Sequence, residues 1–271
     1  MYFCKYISLN KQEMLSVLIL FFSVIISAFI VVKFKIKDKA LQLLLSFSGA
    51  YLLTVSFTHV IPNIFNGDHN QMLGYFVLLG FFIQLFIEFL SGGVEHGHGH
   101  CTSNHDDHHH IHEEAHEKAH QQVLSISPYA LLIGISIHAF FEGMPFAQHF
   151  HTHEHTQNTL LIGIIIHKVP IALALMGLFI SAGLSKTKSY SLIMIFALAA
   201  PLGALSGEFI GQHSNIPIEY LYKIIMAILV GIFLHVSTTI LFESNTSHRF
   251  NIYKLVTIIL GVGLAIISKL L

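Results

Sequence analysis

Charge is scarce in this chain. Only 11% of its 271 residues are Asp, Glu, Lys or Arg, while 54% are hydrophobic, and the mean hydropathy is +0.67. Soluble domains carry about 25% charged residues. A soluble globular protein is therefore excluded, and the composition fits a polytopic membrane protein with no separate soluble domain. Cysteine is nearly absent as well. Cys4 and Cys101 are the only two, which excludes a disulfide framework. No P-loop occurs, so ATP is not the expected energy source, and no HEXXH motif occurs. The net charge of −1 separates no function class, because a membrane protein places its charge loop by loop. Histidine is the abundant exception, with 21 copies.

A membrane span needs roughly 20 mostly apolar residues. Eight segments qualify: 14–32, 40–62, 72–91, 127–149, 158–181, 189–211, 220–242 and 252–270. The first follows MYFCKYISLNKQE, which shows no small-residue cleavage site, so that run is expected to stay as a span. The expected fold class is an all-α membrane protein of eight transmembrane helices. Helices 1–3 fall in 1–94, a histidine-rich loop in 95–122, and helices 4–8 in 123–271, all as one membrane domain. Lys and Arg favour the cytoplasmic side. The odd-numbered loops hold nine of the 14, among them Lys33, Lys35, Lys37, Lys39, Lys186 and Lys188. Those loops are expected in the cytoplasm and both termini outside, in a plasma (inner) membrane.

Ionisable side chains at membrane depth are costly, about 2.5–3.5 kcal/mol each for Lys or Asp at a helix centre. This chain carries several on neighbouring spans. His138 and Glu142 lie in HAFFEG, four residues apart, so they share a helix face. His167 and Lys168 lie in HKVP on the next span. Imidazole with carboxylate is a ligand set for zinc and its first-row neighbours. His59 ends the second span and Glu208 lies in the sixth. Gln84 and Glu88 read as a polar clamp between helices, and His235 as a structural hydrogen bond to a neighbour. Pro145, Pro170 and Pro201 are expected to interrupt helices four, five and six and to free the carbonyls of Phe141, Ile166 and Ala197. Such defects persist in a membrane where protein or a wet cavity satisfies them, which marks these helices as walls of a polar path.

These residues and their order resemble the ZIP (Zrt- and Irt-like) family of divalent metal transporters, over nearly the whole chain. GAYLLTVSFTHVIP looks like the family's second helix, HAFFEG like its fourth-helix H-x-x-x-E/D-G, and AILVGIFLHVSTTILFE like its seventh helix. HK in helix five resembles the branch near the mammalian plasma-membrane zinc importers. The resemblance implies a bundle with helices 4 and 5 central and movement of divalent cation towards the cytoplasm. Carried over by position, His138, Glu142 and His167 are the transport ligands, with His59 and Glu208 contributing. Many members carry a glutamate directly after the helix-five proline, but here that residue is Ile171. Ala139 and Lys168 stand where two-metal members place neutral polar ligands. One ion is therefore expected, with Lys168 in place of a second and paired with Glu142 or Glu208.

Ten histidines fall in EHGHGHCTSNHDDHHHIHEEAHEKAHQQ, among them His96, His98, His100, His108, His109, His110 and His112. This composition reads as weak metal binding without a packed core, a buffer or sensor rather than the transport site. His149, His151, His153 and His155 form a shorter cluster on the outer face. The expected cargo is Zn2+, with Fe2+, Mn2+ or Cd2+ as further candidates. Expected partners are the lipid bilayer and a second copy of the chain, with no nucleic acid. The competing readings are a metal exporter of the cation-diffusion type and an intramembrane zinc hydrolase. The first usually has six helices and a soluble C-terminal domain. The second needs a general base, a role open to Glu142. No enzyme activity is expected.

Overall fold

The structure, a computed structural model, describes residues 11–34, 36–66, 70–91, 127–147, 150, 154–243 and 252–268. Among these residues every regular element is helical: α1 (Lys11–Lys33), α2 (Asp38–Val55, continued to Ile64), α3 (Asn70–Leu90), α4 (Pro128–Gly143), α5 (Glu154–Ser181), α6 (Lys186–His213), α7 (Ile218–Glu243) and α8 (Ile252–Ile267). Seven of them are long and apolar enough to cross a membrane, and α8 is a shorter apolar helix, in keeping with an eight-helix bundle. The histidine-rich stretch 95–122, with His96, His98, His100, His108, His109, His110 and His112, lies outside the described residues, as do His149, His151 and His153.

The prolines act differently from one another. Pro170 and Pro201 lie inside α5 and α6. Pro145 does not interrupt helix four as expected; the helix has already closed at Gly143, and Met144–Phe146 forms a tighter 3₁₀ turn. A proline cannot donate to the fourth residue back. The Met144 N–H takes the Phe141 carbonyl instead. Gln157, on α5, then donates to the carbonyls of Pro145 and Phe150 at 2.9 and 3.3 Å, tying this turn down. Pro62 follows a π-helical turn, Ser56–Val60, closed by the Ile61 N–H on the Ser56 carbonyl. Such turns cluster at functional sites, and His59 lies within this one. Between α5 and α6, Gly183 adopts a φ of 78°. Leu184 N–H reaches the Phe179 carbonyl at 3.1 Å and Gly183 N–H the Ile180 carbonyl at 3.0 Å. These are the paired bonds of a Schellman cap, which favours glycine at the left-handed position.

Two of the seams bring helix backbones closest together. A Cβ on Gly143 would lie 2.0 Å from the Ala200 carbonyl oxygen, and one on Gly203 would lie 1.9 Å from that of Phe140. The α4–α6 seam therefore depends on both glycines. The α3–α7 seam is alike, with Gly80 against the Ile228 carbonyl at 2.0 Å and Gly231 against that of Val77 at 1.9 Å. Small residues at a crossing let membrane helices gain dispersion and close polar contact, where lipid offers no hydrophobic drive for association. At the periphery, 28% of the apolar stretch of α1 and of α3 is buried, against 67% of that of α7. Phe22, Phe29, Phe82 and Phe86 accordingly face outwards.

The interior falls into two apolar clusters. One gathers Tyr51, Leu52, Val60 and Ile64 with Phe146, Phe150, Leu160, Ile164, Tyr222 and Phe233. The other gathers Leu45, Leu131–Ala139, Ile171–Phe179, Ile193–Ala199, Val236 and Ile240 residues. Along α2, α5 and α7 the polar residues Ser48, His167, Lys168 and His235 fall where one cluster gives way to the other, and along α4 Glu142 does the same. That boundary holds the candidate centre.

Candidate metal centre

His138 and Glu142 occupy the last two turns of α4, whose C-terminal dipole favours a cation. His167 projects from α5. All three are buried, at 3%, 1% and 0% exposure. One ligand atom from each lies within 4.8 Å of the others, and among the described residues this is the one such group of three. His138 Nε2 stands 3.2 Å from Glu142 Oε1. Two ligands about 2.0–2.2 Å from a tetrahedral zinc stand about 3.3–3.5 Å apart. That edge of a coordination polyhedron is already formed.

Each of these side chains is anchored at its other polar atom. His138 Nδ1 lies 3.1 Å from Gln84 Oε1 on α3. His167 Nδ1 lies 3.4 Å from Ser48 Oγ on α2. Glu142 Oε2 accepts from Lys168 Nζ at 2.5 Å. The inward atoms, His138 Nε2, Glu142 Oε1 and His167 Nε2, make no hydrogen bond among the described residues. A buried polar atom left so costs about 1–3 kcal/mol. One cation bound among the three residues would relieve such atoms together.

Lys168 is 1% exposed. Beyond Glu142, its ammonium faces the Phe196 ring, 5.3 Å from the centroid. Of its two expected partners the structure supplies Glu142, and distance along the helices explains why. Gly143 abuts Ala200, so Glu208 lies eight residues, about 12 Å, further along α6. There the Glu208 carboxylate accepts from Gln212 Nε2 at 2.8 Å. His59 lies 11 residues beyond Ser48 on α2, about 16 Å towards the Ile64 end. It is buried, but like Glu208 it stands outside the three-residue group.

The remaining polar residues settle between helices. His235 Nδ1 on α7 lies 3.3 Å from Glu88 Oε2 on α3, and its ring meets Phe81 edge-on at 4.8 Å. Gln84 was legible as an inter-helix polar residue, though not as the partner of His138. Ser48 carried no signal, since one serine among apolar residues in LLLSFSG is indistinguishable from a packing residue.

A family model described as "ZIP Zinc transporter" matches residues 12–269, which include every described helix except the first residue of α1. Protein zntD of Dictyostelium discoideum is 29% identical over 147 residues, 52% of this chain. The chain spans about a fifth of that relative's length, 21%. A bundle of helices with a buried His/Glu group, matched over nearly its full length by the family's model, places this chain in the ZIP zinc transporter family.

Proposed function

We propose that this chain moves zinc ions across a membrane towards the cytoplasm, one at a time, through His138, Glu142 and His167. The observation that carries the reading is the convergence of three buried ligand atoms within 4.8 Å on two adjacent helices. Three protein ligands leave a tetrahedral ion one open position, which suits an ion that must arrive and leave. Members of the ZIP family are transporters, which sets the hydrolase reading aside.

Lys168 offsets the carboxylate charge and fills the space beside it, which supports a single ion. His59 and Glu208, displaced towards the Ile64 and His213 ends of their helices, are contributors on the approach rather than ligands of the resting ion. Those ends face outwards if the lysine-rich loops are cytoplasmic. Fe2+, Mn2+ and Cd2+ share enough ligand chemistry to compete. The histidine-rich loop buffers zinc on the cytoplasmic side, the membrane is the plasma (inner) membrane, and a second copy is the expected protein partner, with no nucleic acid.

Uptake of radioactive zinc by the purified full chain in liposomes tests the reading. Uptake is expected for wild type and none above background for the His138→Ala, Glu142→Ala double variant. Normal uptake by a well-inserted double variant would overturn the assignment.

A further inference from the structure

We propose that Gln84 and Ser48 are positioning residues that lock His138 and His167 in the tautomer with Nε2 open to a divalent cation. The affinity of the centre is then set from α3 and α2 as well as from α4 and α5. The inference deepens the zinc reading above and rests on it.

A serine hydroxyl has one proton. That of Ser48 is donated to the Leu45 carbonyl at 2.9 Å. Only lone pairs remain on Oγ for His167 Nδ1 at 3.4 Å, so the hydrogen must be on Nδ1. Gln84 turns its carbonyl oxygen, a pure acceptor, towards His138 Nδ1 at 3.1 Å. That nitrogen must also carry its hydrogen. A neutral imidazole has one N–H and one lone pair. On each neutral ring the lone pair is therefore on Nε2, the ring atom that makes no hydrogen bond. His138 Nε2 and Glu142 Oε1 then stand as two acceptors 3.2 Å apart, a repulsion that a cation between them relieves, and the two rings lie 5.8 Å apart, centre to centre.

The arrangement is specific. Gln84 and Ser48 are fully buried, at 0% exposure. An amide buried in an apolar span is costly unless it is hydrogen-bonded. Ligating imidazoles take their tautomer and ring angle from such a partner on the other nitrogen, and its loss costs about 10–100-fold in metal affinity. The distances rank the two. The Gln84 contact falls within the ordinary 2.7–3.2 Å range for N–H···O, and the Ser48 contact falls outside it. Gln84 is the stronger of the two.

Solid-state NMR on the full chain in bilayers, with 15N-labelled histidine and no metal, reads which ring nitrogen is protonated. Subtracting spectra of His138→Ala and His167→Ala assigns the two rings. Zinc affinity is measured in parallel by competition with a chelator, the histidine-rich loop being common to all variants. Wild type is expected to show Nδ1–H on both rings. Gln84→Leu is expected to move His138 towards Nε2–H and weaken zinc binding about 10–100-fold. Gln84→Glu, which keeps an acceptor oxygen, is expected to restore most of the affinity, and Ser48→Ala to cost less than Gln84→Leu. Nε2–H on His138 in wild type, or wild-type affinity in Gln84→Leu, would overturn the proposal. If Gln84→Leu does not insert, the wild-type spectrum and Ser48→Ala still decide it. A wild type with no tight zinc binding would sink the zinc reading itself, a failure distinct from the wrong tautomer.

Discussion

Among the described residues, two buried His/Glu pairs lie in this bundle, with nearly equal spacing. His138 Nε2 and Glu142 Oε1 are 3.2 Å apart, and His235 Nδ1 and Glu88 Oε2 are 3.3 Å apart. Residue type and distance do not distinguish them. The first pair lies on one helix, four residues apart, and its two side chains present a shared face to α5, which adds His167 and Lys168. The second pair joins two helices across the α3–α7 seam, and the structure assembles no third His, Cys, Asp or Glu there among the described residues. In the first, outer hydrogen bonds leave three atoms aimed inwards. In the second, one histidine and one carboxylate meet across the seam with no third ligand-bearing side chain grouped with them among the described residues. Grouping of three ligand residues, rather than the presence of histidine and carboxylate, marks the first as the candidate metal centre.

The sharpest way to break this contrast is to exchange the consequences. His138→Ala or Glu142→Ala is expected to reduce zinc uptake to background while the protein still inserts. His235→Phe or Glu88→Gln is expected to leave uptake within a few-fold of wild type and to lower stability by about 1–3 kcal/mol, the cost of a stranded buried partner. Liposome uptake and thermal melting in detergent read the two effects. Loss of uptake in a well-folded Glu88→Gln protein would erase the distinction.

A second test moves the helices rather than the ligands. Gly203→Ala would set a Cβ 1.9 Å from the Phe140 carbonyl oxygen, and Gly231→Ala would set one 1.9 Å from that of Val77. Both are expected to destabilise by about 1–3 kcal/mol through overpacking. Gly203→Ala pushes against the helix that carries His138 and Glu142, so it is also expected to weaken zinc binding more than Gly231→Ala. Zinc titration alongside melting checks this, and equal affinities would refute it.

Lys168→Gln is a subtler change within the first pair. It frees Glu142 Oε2 from its ammonium partner. Release of the ion is expected to slow, lowering the maximal uptake rate more than the apparent affinity. Matching rates and matching zinc stoichiometry in wild type and variant would remove Lys168 from the mechanism. The smallest effect on transport is expected from deleting residues 96–120. Uptake should stay measurable while most of the weak zinc binding disappears, because the membrane helices hold their own ligands. A deletion protein that inserts normally but transports nothing would bring the loop into the path.

Much of this was legible before any fold was known. Scarcity of charge and the long apolar runs determined an all-helical membrane bundle, because a backbone in lipid must satisfy its own hydrogen bonds. Spacing of four residues placed His138 and Glu142 on one face of α4, because the helix repeats every 3.6 residues. Tertiary structure decided the rest. It seated His167 opposite that face, gave Lys168 to Glu142 rather than Glu208, and left His59 and Glu208 some way along their helices. It also turned Pro145 from an interruption into a terminus, and it recruited Ser48 and Gln84 from α2 and α3 to hold the two imidazoles. Local sequence determines which atoms share a helix face. Where two helices meet, and at what height, depends on contacts such as Gly143 on Ala200, made between residues far apart in the chain.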